Sequence, residues 1–462
     1  MRRLAGLLIV SIAVLALATP AGATTPGRGA PGAGDPFFPY QGNGGYDVAS
    51  YDLAITYNPA THALSGHAHI TATTTQALSV FDLDLRHSLT ASAVLVNGVA
   101  AAHRQPADRD QELVITPATS LANGAAFTVD VTYAGTGQNV TDPDGSPDGW
   151  IPTTDGAFVA SEPQGSPTWF PVNDTPDDKA TYTVAITVSN GITAMSNGVL
   201  VSSTTVGPQT TWTWNLDVPV SSYLITATLG QFTVTTGATK AGVPFVEAVD
   251  PALVASAANV LKRLPNMIDY FSSVYGAFPF PSTGAIIDDA PQVGYELETA
   301  TRPVFDRVPD PATLAHELAH QWFGDDVTLA RWRDIWLNEG FAEFSAWLWT
   351  EHTGGATAAQ KLANVEALPA TNSVWNPPPA NPGSSDQIFS NSVYERGAGA
   401  LEALREKLGD TTFFAIMQGW VQAHAQGNAT VAQFETFAES VSGKNLGPFF
   451  YNWLSRPGKP NV

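Results

Sequence analysis

Residues 316–344 read HELAHQWFGDDVTLARWRDIWLNEGFAEF, and the rest of the chain is best interpreted outward from this stretch. His316 and His320 are four residues apart, so on a helix both imidazoles leave the same face. The start of that helix is signalled by Asp310, a good N-cap, and by Pro311, which suits the first helical position. The spacing therefore predicts two histidines that can bind one metal ion.

A third candidate ligand lies on the next predicted helix. Eighteen residues separate His320 from Glu339, which opens a second helical run. Two histidines and a carboxylate, with one position left for water, are typical of a catalytic zinc site, whereas structural sites are closed and often rich in sulfur. The chain has no cysteine. The alternative is a pair of ordinary helix histidines and a capping glutamate, but the joint spacing favours one Zn²⁺ per chain.

Glu317 follows the first histidine and belongs to the same helix, so it can point into the same cleft. Zinc lowers the pKa of bound water from 15.7 to about 7, and a carboxylate beside it can take the proton as the water attacks. This arrangement predicts hydrolysis of a substrate with a carbonyl group, for which a peptide is the default. Ligand type alone leaves the identity of the divalent ion open.

Hydrophobic periodicity divides the chain into two domains. Apolar and polar residues alternate over much of residues 46–243, as at Leu53 and Ile55, which predicts an antiparallel β sandwich. After Asp250 the apolar residues recur at helical intervals, which predicts a mainly α domain over residues 244–462. The expected fold class is therefore α+β with more than one domain.

The beginning of the chain has the features of a signal peptide over residues 1–23. Arg2 and Arg3 precede an apolar run, and a small-residue cleavage site ends at Ala23, so we expect a secreted protein. Residues 24–45 are rich in glycine and proline, which predicts a flexible N-terminal arm. No other stretch is long and apolar enough for a membrane anchor. The net charge of −21 argues against a nucleic-acid partner.

Several motifs resemble the aminopeptidase N family of gluzincin zinc metallopeptidases. They are the HELAH helix, the run WLNEGFA at 336–342, the dipeptide EP at 162–163 followed by WFP at 169–171, and VYERG at 393–397. The resemblance covers nearly all of the chain after residue 45. It implies a saddle-like β domain followed by a thermolysin-like catalytic domain, in a short form without the helical C-terminal domain that many members carry.

The resemblance also assigns roles to individual residues. It implies that His316, His320 and Glu339 bind zinc, that Glu317 is the general base, that Tyr394 donates to the oxyanion, and that Glu162 and Glu298 bind the substrate ammonium.

The motif around Glu298 departs from the family pattern, because this chain has GYELET at 294–299 where the family more often has Gly-x-Met-Glu-Asn. Glu296 shares a strand face with Glu298 by alternation and is a rival for the ammonium. Asp334 and Glu343 are candidates for hydrogen bonds to the ligand histidines, or are solvated helix acids.

The leading interpretation is a secreted zinc aminopeptidase that removes N-terminal residues from peptides with a free amino terminus. A zinc endopeptidase with an open cleft is one alternative. A homologue that binds metal or peptide without catalysis is another. Recognition of the free amino terminus by Glu162 and Glu298 is the feature that separates these functions.

Overall fold

The computed structural model describes residues 25–461, so the predicted signal peptide lies outside the described residues. The strands, in chain order, are β1 (Gly27–Arg28), β2 (Tyr46–Asn58), β3 (Ala63–Thr74), β4 (Leu78–Asp84), β5 (Leu89–Val96), β6 (Val99–Ala100), β7 (Ala102–Arg104), β8 (Glu112–Thr116), β9 (Ala126–Thr136), β10 (Asn139–Thr141), β11 (Pro147–Pro152), β12 (Ala157–Ala160), β13 (Ala180–Ser189), β14 (Thr193–Ser196), β15 (Val199–Val206), β16 (Gln209–Val220), β17 (Ala227–Gly230), β18 (Thr233–Ala238), β19 (Pro244–Val249), β20 (Thr283–Ile287), β21 (Glu296–Leu297), β22 (Val304–Phe305), β23 (Thr328–Leu329) and β24 (Asn428–Ala429).

The helices all follow residue 250 along the described chain. They are α1 (Val254–Leu261), α2 (Leu264–Tyr275), α3 (Pro311–Ala319), α4 (Trp336–His352), α5 (Ala358–Glu366), α6 (Gly397–Leu408), α7 (Asp410–His424), α8 (Val431–Ser442) and α9 (Gly447–Phe450). Among residues 25–461, no helix combines the length and apolar character needed to span a membrane.

The first domain is built from three sheets, the largest with eight strands in the order β15-β16-β13-β2-β3-β9-β5-β6. Alternate residues of β2 and β13 are buried, which is the period of two expected from the sequence. Most neighbouring strands are antiparallel, but β2 and β13 run parallel, as do β1 and β4. The parallel pair β2–β13 is possible because more than a hundred residues separate the two strands and supply the crossover.

The predicted flexible arm is a correction, because its described part is packed against both domains. The Asp35 carboxylate accepts a hydrogen bond of 2.8 Å from the backbone N–H of Trp332. The side-chain oxygen of Gln41 accepts one of 2.9 Å from the Trp332 indole, and its amide group donates to Asp174 at 3.0 Å. Phe38 packs edge-on against the same indole. These buried polar partners fix the backbone of a segment whose composition alone favours flexibility.

The second domain begins earlier than the expected boundary at residue 243. Strand β18 already belongs to its five-stranded sheet, whose order is β18-β19-β20-β22-β21. The helices follow this sheet, and buried apolar residues of both domains join in one continuous core. The order of a mostly β domain and a mainly helical catalytic domain agrees with the α+β class expected from the sequence.

Candidate metal centre and substrate pocket

Helix α3 carries two of the predicted metal ligands, and its first turn forms as the sequence predicts. The Asp310 carboxylate accepts hydrogen bonds from the backbone N–H groups of Ala312 and Thr313, at 2.7 and 2.9 Å. Pro311 occupies the first helical turn, where its missing N–H costs nothing. The cap fixes where the helix starts, and therefore which face of α3 carries His316 toward α4.

His316, His320 and Glu339 converge on one point in the interior. The Glu339 Oε2 atom lies 3.2 Å from His316 Nε2 and 3.5 Å from His320 Nε2. Donor atoms at 2.0–2.1 Å from a tetrahedral zinc ion lie about 3.4 Å apart, so these separations fit three ligands of one ion. All three side chains are buried. The predicted ligand set is therefore assembled by the fold and fits zinc.

Hydrogen bonds at the far side of each imidazole fix which nitrogen faces the centre. His320 Nδ1 lies 3.0 Å from the carbonyl oxygen of Phe323, and His316 Nδ1 lies 3.3 Å from Glu343 Oε2. An N–H at Nδ1 leaves Nε2 unprotonated and free to bind a metal. Glu343 thus takes the supporting position that the sequence left open between it and Asp334.

Asp334 serves another purpose. Its carboxylate accepts a hydrogen bond of 3.2 Å from the backbone N–H of Val431, at the start of α8. It therefore supports a helix N-terminus instead of a ligand histidine.

Glu317 lies at the metal centre and is 7% exposed. One of its carboxylate oxygens lies within 4.8 Å of ligand atoms of His320 and Glu298. Burial raises the pKa of Glu317 to about 8, although the charges of His316 and His320 pull it down. A divalent cation at this centre adds positive charge and lowers that pKa, which favours the carboxylate form at neutral pH.

Glu162 and Glu298 lie on the side of the centre opposite the first domain's outer surface and share the same interior space. Ligand-type oxygens of Glu162, Glu298 and Glu339 lie within 4.8 Å of one another. Oε1 of Glu162 and Oε1 of Glu298 are both buried, and neither has a hydrogen-bond partner among the described residues. Burial, followed by the charge of Glu298, raises the pKa of Glu162 well above its ordinary value. Such a pair is a strong site for a cationic donor.

The structure separates Glu298 from its rival Glu296. Glu298 is 2% exposed and belongs to the buried carboxylate group, whereas Glu296 is half-buried and lines an adjoining cavity. Gln321 helps to fix Glu298, because its amide nitrogen donates to the Glu298 carbonyl at 3.3 Å. The Gln321 side-chain oxygen accepts from the backbone N–H of Thr301 at 2.7 Å. The sequence interpretation missed Gln321, although its place directly after His320 could have drawn attention to it.

Tyr394 faces the metal centre from a π-helical turn, Ser392–Arg396, that leads into α6. Its ring lies parallel to the His316 ring, with centroids 5.8 Å apart. Burial, followed by the charge of Glu339, raises the pKa of Tyr394 well above its ordinary value, so the hydroxyl stays protonated. π-Helical turns inside α-helices are frequent at functional sites. Tyr394 is therefore a neutral hydrogen-bond donor beside the ligands.

Helices α4 and α6 approach closely where they bring Glu339 and Tyr394 together. A Cβ atom at Gly397 would lie 2.5 Å from Cδ1 of Trp336 and 3.1 Å from the Gly340 Cα. Only glycine fits at this contact, because the Trp336 ring and the opposing backbone fill the space. The glycine therefore sets the distance between the helix that carries a ligand and the turn that carries the phenol.

Tyr394 separates two cavities at the metal centre. One, of about 240 Å³, is lined by His316, Glu317 and Glu343. The other, of about 260 Å³, is lined by Glu162, Glu296 and further residues of both domains. A chain that crosses the metal centre has space on both sides of Tyr394.

Comparison with known proteins identifies the family. The peptidase family M1 domain matches residues 298–453, and the peptidase M1 N-terminal domain matches residues 48–224. The crystal structure of an M1 zinc metallopeptidase from Deinococcus radiodurans is similar, with 30% sequence identity and a TM-score of 0.85. That alignment covers 93% of this chain and 98% of the other. The chain belongs to peptidase family M1.

Curated relatives agree with this family. Glutamyl aminopeptidase of Bos taurus is 28% identical over 338 residues, which are 66% of this chain and 34% of the relative. Aminopeptidase M1-C of Oryza sativa subsp. japonica is 29% identical over 323 residues, which are 63% of this chain and 36% of the relative. The chain thus spans about a third of the length of the curated relatives it matches.

Membership of family M1 confirms three predictions from the sequence. The resemblance to aminopeptidase N was correct, and the two-domain α+β fold matches the M1 structures. The metal predicted for His316, His320 and Glu339 is zinc, since the structural relatives are zinc metallopeptidases and the donor set fits that ion. In an M1 centre of this kind, zinc acts as a Lewis acid and activates water.

Proposed function

We propose that this chain is a zinc aminopeptidase that removes N-terminal residues from peptides with a free amino terminus. The observation that carries the proposal is the buried pair Glu162 and Glu298, whose Oε1 atoms have no partner among the described residues. An ammonium group placed between them gains charge-assisted hydrogen bonds, and an acetylated nitrogen does not. An internal peptide segment offers no such cation, which is why exopeptidase action is favoured over endopeptidase action.

Each remaining side chain has a task in this proposal. The Glu317 carboxylate accepts the proton of the attacking water and passes it to the nitrogen of the departing peptide. The Tyr394 hydroxyl donates a hydrogen bond to the oxygen that becomes negative as the carbonyl carbon turns tetrahedral. Glu162 and Glu298 hold the amino terminus, so the first peptide bond is the one that reaches Glu317.

The proposal is supported by the relatives, within the limits of their coverage. Relatives of this chain are named aminopeptidases, and the Deinococcus radiodurans protein has been solved with Tyr-Ser-Ala substrate and with single amino acids. A free α-amino group is common to all of those ligands.

The test is hydrolysis of aminoacyl fluorogenic amides and short peptides, each with a free and an acetylated amino terminus, with and without a chelator. We expect turnover of the free forms alone, and loss of turnover with chelator. Glu298→Gln should raise KM about tenfold or more, because a charge-assisted hydrogen bond to the ammonium is weakened. Glu406→Gln is the matched control, since it removes one exposed carboxylate of α6 and should change nothing. Equal cleavage of acetylated and free substrates would refute the proposal.

Two other outcomes would identify the alternatives. Cleavage inside an unfolded protein, with no loss from the ends, would indicate an endopeptidase. Stoichiometric zinc binding without turnover of any substrate would indicate a binding homologue. We also propose that the protein is secreted, on the strength of the sequence features of residues 1–23. Amino-terminal sequencing of protein recovered from the medium tests this, and a mature end at Thr24 is the expected result.

A further inference from the structure

A cavity of about 260 Å³ adjoins both Glu162 and Tyr394. Glu162 is 7% exposed, and its unpartnered Oε1 marks the place where the substrate ammonium would bind under the proposed function. The side chain of the N-terminal residue leaves the carbon next to that ammonium, so it must enter this cavity. The residues that line the cavity therefore decide which N-terminal residues are accepted.

Two carboxylates line the cavity, one from each domain. Asp144 comes from the loop between β10 and β11, and Glu296 comes from β21. Asp144 Oδ1 accepts hydrogen bonds from the backbone N–H and the hydroxyl of Ser146, at 2.9 and 2.6 Å, which leaves Oδ2 available. The Glu296 carboxylate has no side-chain hydrogen bond within residues 25–461.

Positive charge is scarce around this cavity. None of the described residues that line it is basic. Arg307 is the nearest cation that acts on Glu296, but its guanidinium forms two hydrogen bonds to the neighbouring Asp306, at 2.7 and 2.6 Å. The carboxylates of Asp144 and Glu296 therefore have no basic side chain of the cavity to neutralise them.

The remaining walls suit a long side chain with a flat or extended body. Tyr295 and Phe389 line the cavity, and Val293 adds an aliphatic surface. The Tyr295 hydroxyl donates to the Pro147 carbonyl at 2.9 Å, which ties the ring to the loop that carries Asp144. Aromatic faces attract guanidinium and ammonium groups, and methylene groups pack against aliphatic walls.

We propose that this cavity receives the side chain of an N-terminal arginine or lysine, and that Asp144 and Glu296 are the residues that determine this specificity. The inference rests on the proposed aminopeptidase function. A cationic side chain pairs with both carboxylates, while an acidic one is repelled by them. An apolar side chain of similar size leaves two carboxylates without partners at the walls, which costs binding energy in the transition state.

The test compares kcat/KM for aminoacyl fluorogenic amides of arginine, lysine, leucine, alanine and glutamate. We expect arginine and lysine to exceed leucine by about tenfold or more, and glutamate to be the poorest substrate. Faster turnover of leucine than of both basic substrates would overturn the inference while the proposed function stands. If no free aminoacyl amide is hydrolysed, the proposed function itself fails, so the two failures are distinguishable.

Variants assign the effect to the two carboxylates. Glu296→Gln and Asp144→Asn should each lower the ratio of arginine to leucine turnover severalfold, and the double variant should bring it close to one. Asp217→Asn is the matched control, because it removes one exposed carboxylate of β16 and should leave the ratio unchanged. Turnover of leucine reports whether each variant is folded. An unchanged ratio in the double variant would show that these carboxylates do not determine specificity.

Discussion

Replacement of Glu343 by glutamine is predicted to weaken zinc binding. Glu343 uses both carboxylate oxygens, since Oε2 lies 3.3 Å from His316 Nδ1 and Oε1 accepts from the Trp347 indole at 2.6 Å. Glutamine has one acceptor oxygen and one amide nitrogen at these positions. Whichever way the amide turns, one of the two N–H groups loses its acceptor. The negative charge that polarises His316 is lost in either orientation.

The magnitude follows from the geometry of this contact. Substitutions that remove such a supporting carboxylate typically cost 10–100-fold in metal affinity. The distance of 3.3 Å is long for a hydrogen bond to a charged acceptor, and the Glu343 side chain is 22% exposed. Both features place the effect near the lower limit, so we expect about tenfold weaker zinc binding, or ~1.4 kcal/mol.

Competition for zinc with a chelating indicator dye measures this affinity without reference to activity. Asp334→Asn is the matched control, because Asp334 also carries one negative charge near the end of the metal-binding stretch but contacts Val431 N–H at 3.2 Å. Its zinc affinity should stay within about twofold of the parent chain. Equal losses in Glu343→Gln and Asp334→Asn would indicate a general effect of charge. No loss in Glu343→Gln would refute the role given to the contact with His316.

Three further predictions concern stability and the arrangement of the site. Gly397→Ala should cost about 1–3 kcal/mol of unfolding free energy and lower kcat, because the added methyl group meets the Trp336 ring; chemical denaturation and kinetics measure the two effects. Asp310→Ala should cost about 1 kcal/mol in the same denaturation experiment, because it removes the N-cap of α3. Burial raises the pKa of Glu247 from 4.5 to about 7, so the folded chain keeps this proton over a pH range where the unfolded chain has lost it. Stability should therefore fall as pH rises from about 4.5 to 7, and Glu247→Gln should raise Tm relative to the parent at pH 8 but not at pH 4.

The parts of the site that the sequence could predict are those set by local spacing. The interval between His316 and His320 is one helical turn, and Asp310 with Pro311 determines where that turn begins. Glu339 required only that a second helix pass the first, which a zinc site demands in any case. These features depend on the geometry of one helix, so they can be read without knowledge of tertiary contacts.

The features that the sequence could not decide depend on contacts between distant residues. Glu296 and Glu298 are two residues apart and equivalent by strand alternation, and only the position of the metal centre separates their environments. The arm has a flexible composition, yet Asp35 and Gln41 find their partner at Trp332, almost 300 residues later. No local pattern encodes a partner at that distance.

The metal ligands and the ammonium-binding pair share one residue, and this arrangement links the two functions of the site. Glu339 contributes an oxygen to the group with His316 and His320 and also to the group with Glu162 and Glu298. The buried carboxylates repel one another, so the centre is completed by two cations, zinc on one side and a substrate ammonium on the other. A blocked amino terminus would supply only the first cation and leave two buried carboxylates unpaired. Because unpaired buried charges are costly, free peptides should be favoured over blocked ones by a factor of about 100 or more.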